Sequence, residues 1–242
     1  MPLRWLCTKE EELSMAIYWF YLAIVGLSMG LAIVATPAVR YVGMRCGRVD
    51  APAARKVHQR PMVRLCGIAI FCATVLAMVC FFGGSEVLLQ DELLGLVGPL
   101  PMGELLLAVP SDFSTVRLLL LGGTGFFAIG LADDLLELSA FHRLVMQVGV
   151  AVCMWRGDVC IDAVVLPGFD SVSIGWLGLP VTVLWIVGVV NAINWLDGLD
   201  GLAAGVASIA LGCLIILSGA NAEMMTGGVG AALLGSLLGF LC

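Results

Sequence analysis

From Ser14 to Val39 the chain carries no charged side chain. A helix crosses the hydrocarbon core of a bilayer with about 20 mostly apolar residues, so this run is long enough to span with some tilt. The pattern then recurs. Apolar runs cover about 66–84, 116–132, 174–194, 202–219 and 224–241, and a weaker one fills 144–155 between Arg143 and Arg156. That weak run spans only if its ends extend past the arginines or their side chains snorkel to the interface. The expected fold is therefore all-α: a polytopic transmembrane helical bundle of about seven spans, forming a single membrane domain over residues 1–242. The stretch 93–109 is apolar too, but Pro99, Pro101 and Glu104 within it, and Pro110 beyond, favour an interfacial or outside loop.

Charge is scarce and unevenly placed. Only 12% of residues are charged, against about 25% in an average soluble domain. That excludes a soluble globule, a disordered chain and a nucleic-acid binder with a basic face. The 30 glycines suit membrane helices that pack closely through small residues. Nine cysteines form no C-x-x-C pair and read as small core residues. Glu10, Glu11 and Glu12 precede the first apolar run, the wrong sign for a secretory signal, so that run is expected to be retained.

The charges also set sidedness. Arg40, Arg45, Arg48, Arg55, Lys56, Arg60 and Arg64 crowd the loop 40–65, against one acid, Asp50. The next loop, 85–115, holds Glu86, Asp91, Glu92, Glu104 and Asp112 and no base. Excess Lys and Arg marks cytoplasmic loops. Residues 40–65 are then cytoplasmic, the N-terminus outside and 85–115 outside. Parity puts 132–143, 191–201 and the C-terminus on the cytoplasmic face. This depends on 144–155 crossing; if it does not, the two acidic segments fall on opposite sides.

Those segments carry the chemistry. Asp133 and Asp134 follow directly on an apolar helix, where adjacent carboxylates are costly unless solvated, paired or cation-bound. The second segment reads Asn191-Ala-Ile-Asn194-Trp-Leu-Asp197-Gly-Leu-Asp200-Gly201. On a helix, residues three apart share a face, so Asn191, Asn194 and Asp197 form one oxygen-rich stripe. Oxygen ligands without His or Cys suit a hard cation, Mg²⁺ or Mn²⁺. A basic loop facing carboxylate-held metal at the inner membrane surface points to phosphate chemistry.

Read together, four stretches resemble the polyprenyl-phosphate N-acetylhexosamine-1-phosphate transferases, glycosyltransferase family 4. They are Arg55-Lys56-Val-His58-Gln-Arg60-Pro61-x-x-Arg64-Leu-Cys66-Gly67, Gly130-Leu-Ala-Asp133-Asp134, Leu138-Ser-Ala-Phe-His142-Arg143-x-x-x-Gln147, and Asn191 to Gly205. Such enzymes move a sugar-1-phosphate from a UDP-sugar to undecaprenyl phosphate and release UMP. Lys56, His58 and Pro61 are placed as in the branch that uses UDP-GlcNAc, or a related UDP-HexNAc, to start O-antigen, enterobacterial common antigen or teichoic acid linkage units. Cys66 and His142-Arg143 depart from the family pattern; a glycine and a lysine are usual there, and Arg143 is expected to supply the lysine's charge.

The resemblance implies roles residue by residue. Asp133, Asp134 and Asp197 would be catalytic. Asp133, Asp134, Asp197 and Asp200 would hold Mg²⁺, with Mn²⁺ the alternative. Lys56, His58, Arg60, Arg64, Arg143, Asn191, Asn194 and Asp200 would bind substrate. The implied setting is the bacterial inner membrane, with the site on the cytoplasmic face, undecaprenyl phosphate, UDP-HexNAc and membrane lipid as partners, and a homodimer allowed. No nucleic-acid partner is expected. Relative to the family, the chain stops at Phe240-Leu241-Cys242 before a further cytoplasmic loop that carries a metal-binding Asp. It is therefore expected to be truncated and to have little or no activity. Two other readings are an inactive fragment of the transferase and a proton- or cation-coupled transporter built on the same four aspartates. Transporter acids usually lie near the bilayer midplane, whereas these lie at span edges.

Overall fold

The computed structural model describes residues 2–45, 49–50, 62–63, 67–83, 114–164, 171–196, 201–221 and 223–242. Among them seven helices follow the seven apolar runs: α1 (Pro2–Arg45), α2 (Gly67–Met78, continued by a wider turn over Val79–Gly83), α3 (Ser114–Leu136), α4 (Ala140–Arg156), α5 (Gly178–Leu196), α6 (Leu202–Ala220) and α7 (Met224–Leu241). Two antiparallel strand pairs, Val49–Asp50 with Met62–Val63 and Ala163–Val164 with Val172–Ser173, are the only strands among the described residues. The predominantly helical architecture fits an all-α membrane protein.

Among the described residues, five segments are long and apolar enough to cross a membrane: Met15–Arg45, Ser114–Leu136, Gly175–Leu196, Leu202–Ala220 and Met224–Leu241. The apolar helix Gly67–Phe82 is shorter. Helix α4 takes in Arg143 and ends on Arg156; its 17 residues reach about 25 Å at 1.5 Å each. The stretch 93–109 and the basic loop's Lys56, His58, Arg60 and Arg64 lie outside the described residues.

The chain divides into two compact units, Met1–Phe113 with Ala204–Cys242, and Ser114–Ala203. In the first, α1, α2 and α7 pack through small residues. Gly227, Ala231, Gly235 and Gly239 recur every fourth position of α7, a spacing that lines one helix face. A methyl group at 235 would strike the Val25 carbonyl and Ser28 Oγ of α1, and one at 239 the Met29 carbonyl. Glycine there lets two backbones meet, which is how helices associate in lipid without a hydrophobic driving force. Helix α2 contributes Ala69, Ala73 and Ala77, all buried, and its Thr74 hydroxyl pairs with Ser236 Oγ of α7 at 2.7 Å.

In the second unit, α3, α4 and α5 are antiparallel neighbours. Gly122 and Gly125 of α3 lie under Met154 and Val150 of α4, and Leu118 meets Gly157. The α3–α4 connection is only Glu137–Ser139. Glu137 ends α3 with φ 51° and donates its backbone N–H to the Asp133 carbonyl at 2.9 Å. Ser139 then caps α4, its hydroxyl accepting from the His142 backbone N–H. So short a link leaves two helices no choice but to run side by side. At the opposite end, the buried Thr182 hydroxyl of α5 accepts from the Ile161 N–H at 2.9 Å, tying the α4–α5 connection down.

Candidate active site at the end of a three-helix unit

Antiparallel packing of α3, α4 and α5 brings the C-terminal end of α3, the N-terminal end of α4 and the C-terminal end of α5 to one end of the unit. Asp133, Asp134, Arg143, Asn191 and Asn194 all lie there. Within this unit α4 runs antiparallel to both neighbours, so Asp133 and Asp134 share an end with Asn191 and Asn194; α4 itself is not among the five described segments long and apolar enough to cross a membrane.

Two contacts stitch that end together. Arg143 Nη1 donates to Asp133 Oδ2 at 2.8 Å, with side chains 24% and 27% exposed respectively. Asp133 and Asp134 are adjacent on one chain, so their repulsion is unavoidable. The guanidinium offsets the charge of the Asp133 carboxylate. One turn further along α4, Gln147 is 3% exposed, and its Oε1 accepts from Asn191 Nδ2 at 2.7 Å. The same Asn191 nitrogen donates to the Val187 carbonyl at 2.8 Å. Residues 143 and 147 are four apart, hence on one face of α4. One side of α4 therefore grips α3 by an ion pair and α5 by an amide pair.

The remaining residues divide plainly. Asp134 lies at the exposed end of α3, and Asn194 is exposed one turn beyond Asn191. Asp197 and Asp200 follow Leu196, the last residue of α5, and lie outside the described residues. The structure thus joins Asp133 to Arg143 and places Asn191 and Asn194 at the same end. Among the described residues no three His, Cys, Asp or Glu side chains cluster to hold a metal. The residue whose role was not foreseen is Gln147. It stands in the Leu138–Gln147 stretch, and its signal is an amide buried on the apolar part of a helix, where an unpaired polar group is costly.

Outside this end, the half-buried Cys160 thiol donates to Asp162 Oδ2 at 3.1 Å. That bond to the carboxylate, first among its causes, pushes the thiol above the ordinary cysteine range.

A family model for glycosyl transferase family 4 matches residues 116–242, which include every acidic and amide residue of the candidate site. A Bacillus subtilis (strain 168) protein, "Probable undecaprenyl-phosphate N-acetylglucosaminyl 1-phosphate transferase", is 30% identical over 216 residues, covering 89% of this chain and 53% of that protein. A "Phospho-N-acetylmuramoyl-pentapeptide-transferase" of Halalkalibacterium halodurans is 36% identical over 142 residues, covering 52% of this chain and 42% of that protein. The chain spans about half the length of the curated relatives it matches. With the match extending over more than half of its residues, the chain belongs to glycosyl transferase family 4.

Proposed function

We propose that this chain carries the donor-binding part of a membrane enzyme that transfers a hexosamine-1-phosphate from a UDP-sugar to a polyprenyl phosphate. The observation that carries the reading is the Asp133–Arg143 ion pair alongside the Gln147–Asn191 bond, which draws three motif-bearing segments to one end of α3–α4–α5. GlcNAc is the favoured sugar and undecaprenyl phosphate the favoured acceptor, in keeping with the name of the Bacillus relative. The reading includes seven crossings with the N-terminus outside, the site and the C-terminus on the cytoplasmic face of a bacterial inner membrane, and a homodimer as the allowed assembly.

In such a transfer an oxygen of the lipid phosphate attacks the β-phosphorus, and the bond from that phosphorus to the oxygen of UMP breaks. Charge on the pyrophosphate is the obstacle, so positioning and neutralisation supply most of the catalysis. The donor set at this end is made of carboxylate and amide oxygens, which fits a hard cation. Asp134, Asp197 and Asp200, with Asp133, would hold Mg²⁺, whose contribution when bound is to offset pyrophosphate charge. Arg143 keeps Asp133 in place and lowers the net charge of the aspartate pair, so a polyanion can approach it. Lys56, His58, Arg60 and Arg64 would contact phosphate or nucleotide.

The test is UDP-[³H]GlcNAc binding to the purified chain in nanodiscs with and without Mg²⁺, followed by addition of undecaprenyl phosphate. Mg²⁺-dependent binding that is lost in Asp134→Asn and Asp197→Asn is the expected result. Label passing into the lipid would demonstrate the transfer step itself. Binding indifferent to both substitutions contradicts the reading, and cation flux through sealed vesicles that both substitutions abolish would favour a transporter.

A further inference from the structure

An asparagine side chain has two amide hydrogens and one carbonyl oxygen to offer. Both hydrogens of Asn191 are already spent, one on Gln147 Oε1 at 2.7 Å and one on the Val187 carbonyl at 2.8 Å. The Val187 carbonyl can only accept, so it fixes which end of the amide is nitrogen. The Val187 bond is within α5 itself, one turn back. The Gln147 bond comes from a different helix and from a side chain that is 3% exposed. Phosphate oxygens are acceptors and need donors. An Asn191 held in this way has none left for them.

We propose that Gln147 is a positioning residue, which by taking an Asn191 amide hydrogen leaves the Asn191 Oδ1 as the only atom of that side chain for a ligand. The proposal rests on the functional reading above and deepens it. Asn191 then serves the nucleotide sugar as an acceptor, receiving an N–H or O–H of its sugar or base, and does not clamp the pyrophosphate. Gln147 touches no substrate; it acts through Asn191. The pairing also explains an amide on the buried face of α4, where a leucine would pack without cost but would leave an Asn191 hydrogen unpaired.

The experiment measures UDP-GlcNAc and UMP affinity with Mg²⁺, and the unfolding midpoint, for the intact chain and for Gln147→Met and Gln147→Glu in nanodiscs. Methionine keeps the volume and removes the acceptor; glutamate keeps an acceptor oxygen toward Asn191. Gln147→Met is expected to weaken UDP-GlcNAc binding by about tenfold, the worth of one hydrogen bond to a buried group, while still unfolding cooperatively at a somewhat lower midpoint, because one Asn191 hydrogen is left unpaired. Gln147→Glu is expected to recover most of that loss. Equal affinity in Gln147→Met and the unsubstituted chain overturns the positioning role while leaving the functional reading intact. So does a Gln147→Met protein with no cooperative unfolding, because the contact would then be structural. An unsubstituted chain that binds neither nucleotide overturns the functional reading, and this inference with it.

Discussion

The α1–α2–α7 packing and the α3–α4–α5 packing solve the same problem in opposite ways. In the first, glycine and alanine of α2 and α7 make room for the α1 backbone and for its buried Tyr21, and two hydroxyl contacts cross, Thr74 with Ser236 and Tyr21 to the Glu223 carbonyl. In the second, an ion pair and an amide pair cross between helices at one end, the Thr182 hydroxyl holds the α4–α5 connection at the other, and van der Waals contacts such as Gly125 beneath Val150 lie between. Polar contacts between membrane helices add only about 0.6 kcal/mol on average. A unit that concentrates them at one end is therefore poorly explained by stability alone. The first packing answers to volume and the second to chemistry.

The largest expected effect separates the two at once. Gly235→Leu drives a side chain into the Val25 carbonyl and Ser28 of α1, and overpacking of this kind costs about 3 kcal/mol. Denaturant titration in mixed micelles should show that loss. A shift of a few tenths would mean that α1 and α7 do not meet so closely. Next in size is Arg143→Met. It leaves Asp133 beside Asp134 without its guanidinium, and UDP-GlcNAc binding should fall by tenfold or more (on the order of 1.4 kcal/mol). The unfolding midpoint should move less, since partly exposed ion pairs contribute about 1 kcal/mol or below. A large stability loss with unchanged binding would reverse the division drawn between the units. Ser236→Ala, removing the Thr74 partner, should cost about 0.6 kcal/mol and leave nucleotide binding alone.

The smallest effect lies in the α4–α5 connection. Because hydrogen bonding to Asp162 raises the Cys160 thiol above its ordinary range, the reactive thiolate is scarce at neutral pH and grows as pH rises. Maleimide labelling of Cys160 should therefore be slow near pH 7, speed up with pH, and become faster in Asp162→Asn. Labelling of intact cells by an impermeant maleimide would also place this loop outside.

Much of this was legible in the amino-acid sequence, and the gaps have physical causes. Apolar runs located every helix to within a few residues at most boundaries, because in lipid a spanning backbone must satisfy its own hydrogen bonds. The 144–155 run was the weak case, since its flanking arginines fall inside helix α4, which ends on Arg156. Asp133 and Arg143 were each expected at the site, but their pairing depends on the three-residue turn Glu137–Ser139 and on the left-handed backbone at Glu137. Gln147 and Asn191 are 44 residues apart, and no local pattern links them. The glycines of 224–241 announced close packing without saying which helix they face. Only the fold shows that Gly235 and Gly239 meet the α1 backbone.

The most direct test of the central claim, that Asp133 serves the ligand as well as the fold, is a charge swap. Asp133→Arg and Arg143→Asp are made singly and together, and unfolding midpoint and Mg²⁺-dependent UDP-GlcNAc binding are read on the same preparations. The double variant should regain the stability that either single change loses, because an ion pair is restored, while binding stays lost, because the carboxylate has left the end of α3. Recovery of binding together with stability would show the pair to be only a structural clasp and would contradict the account.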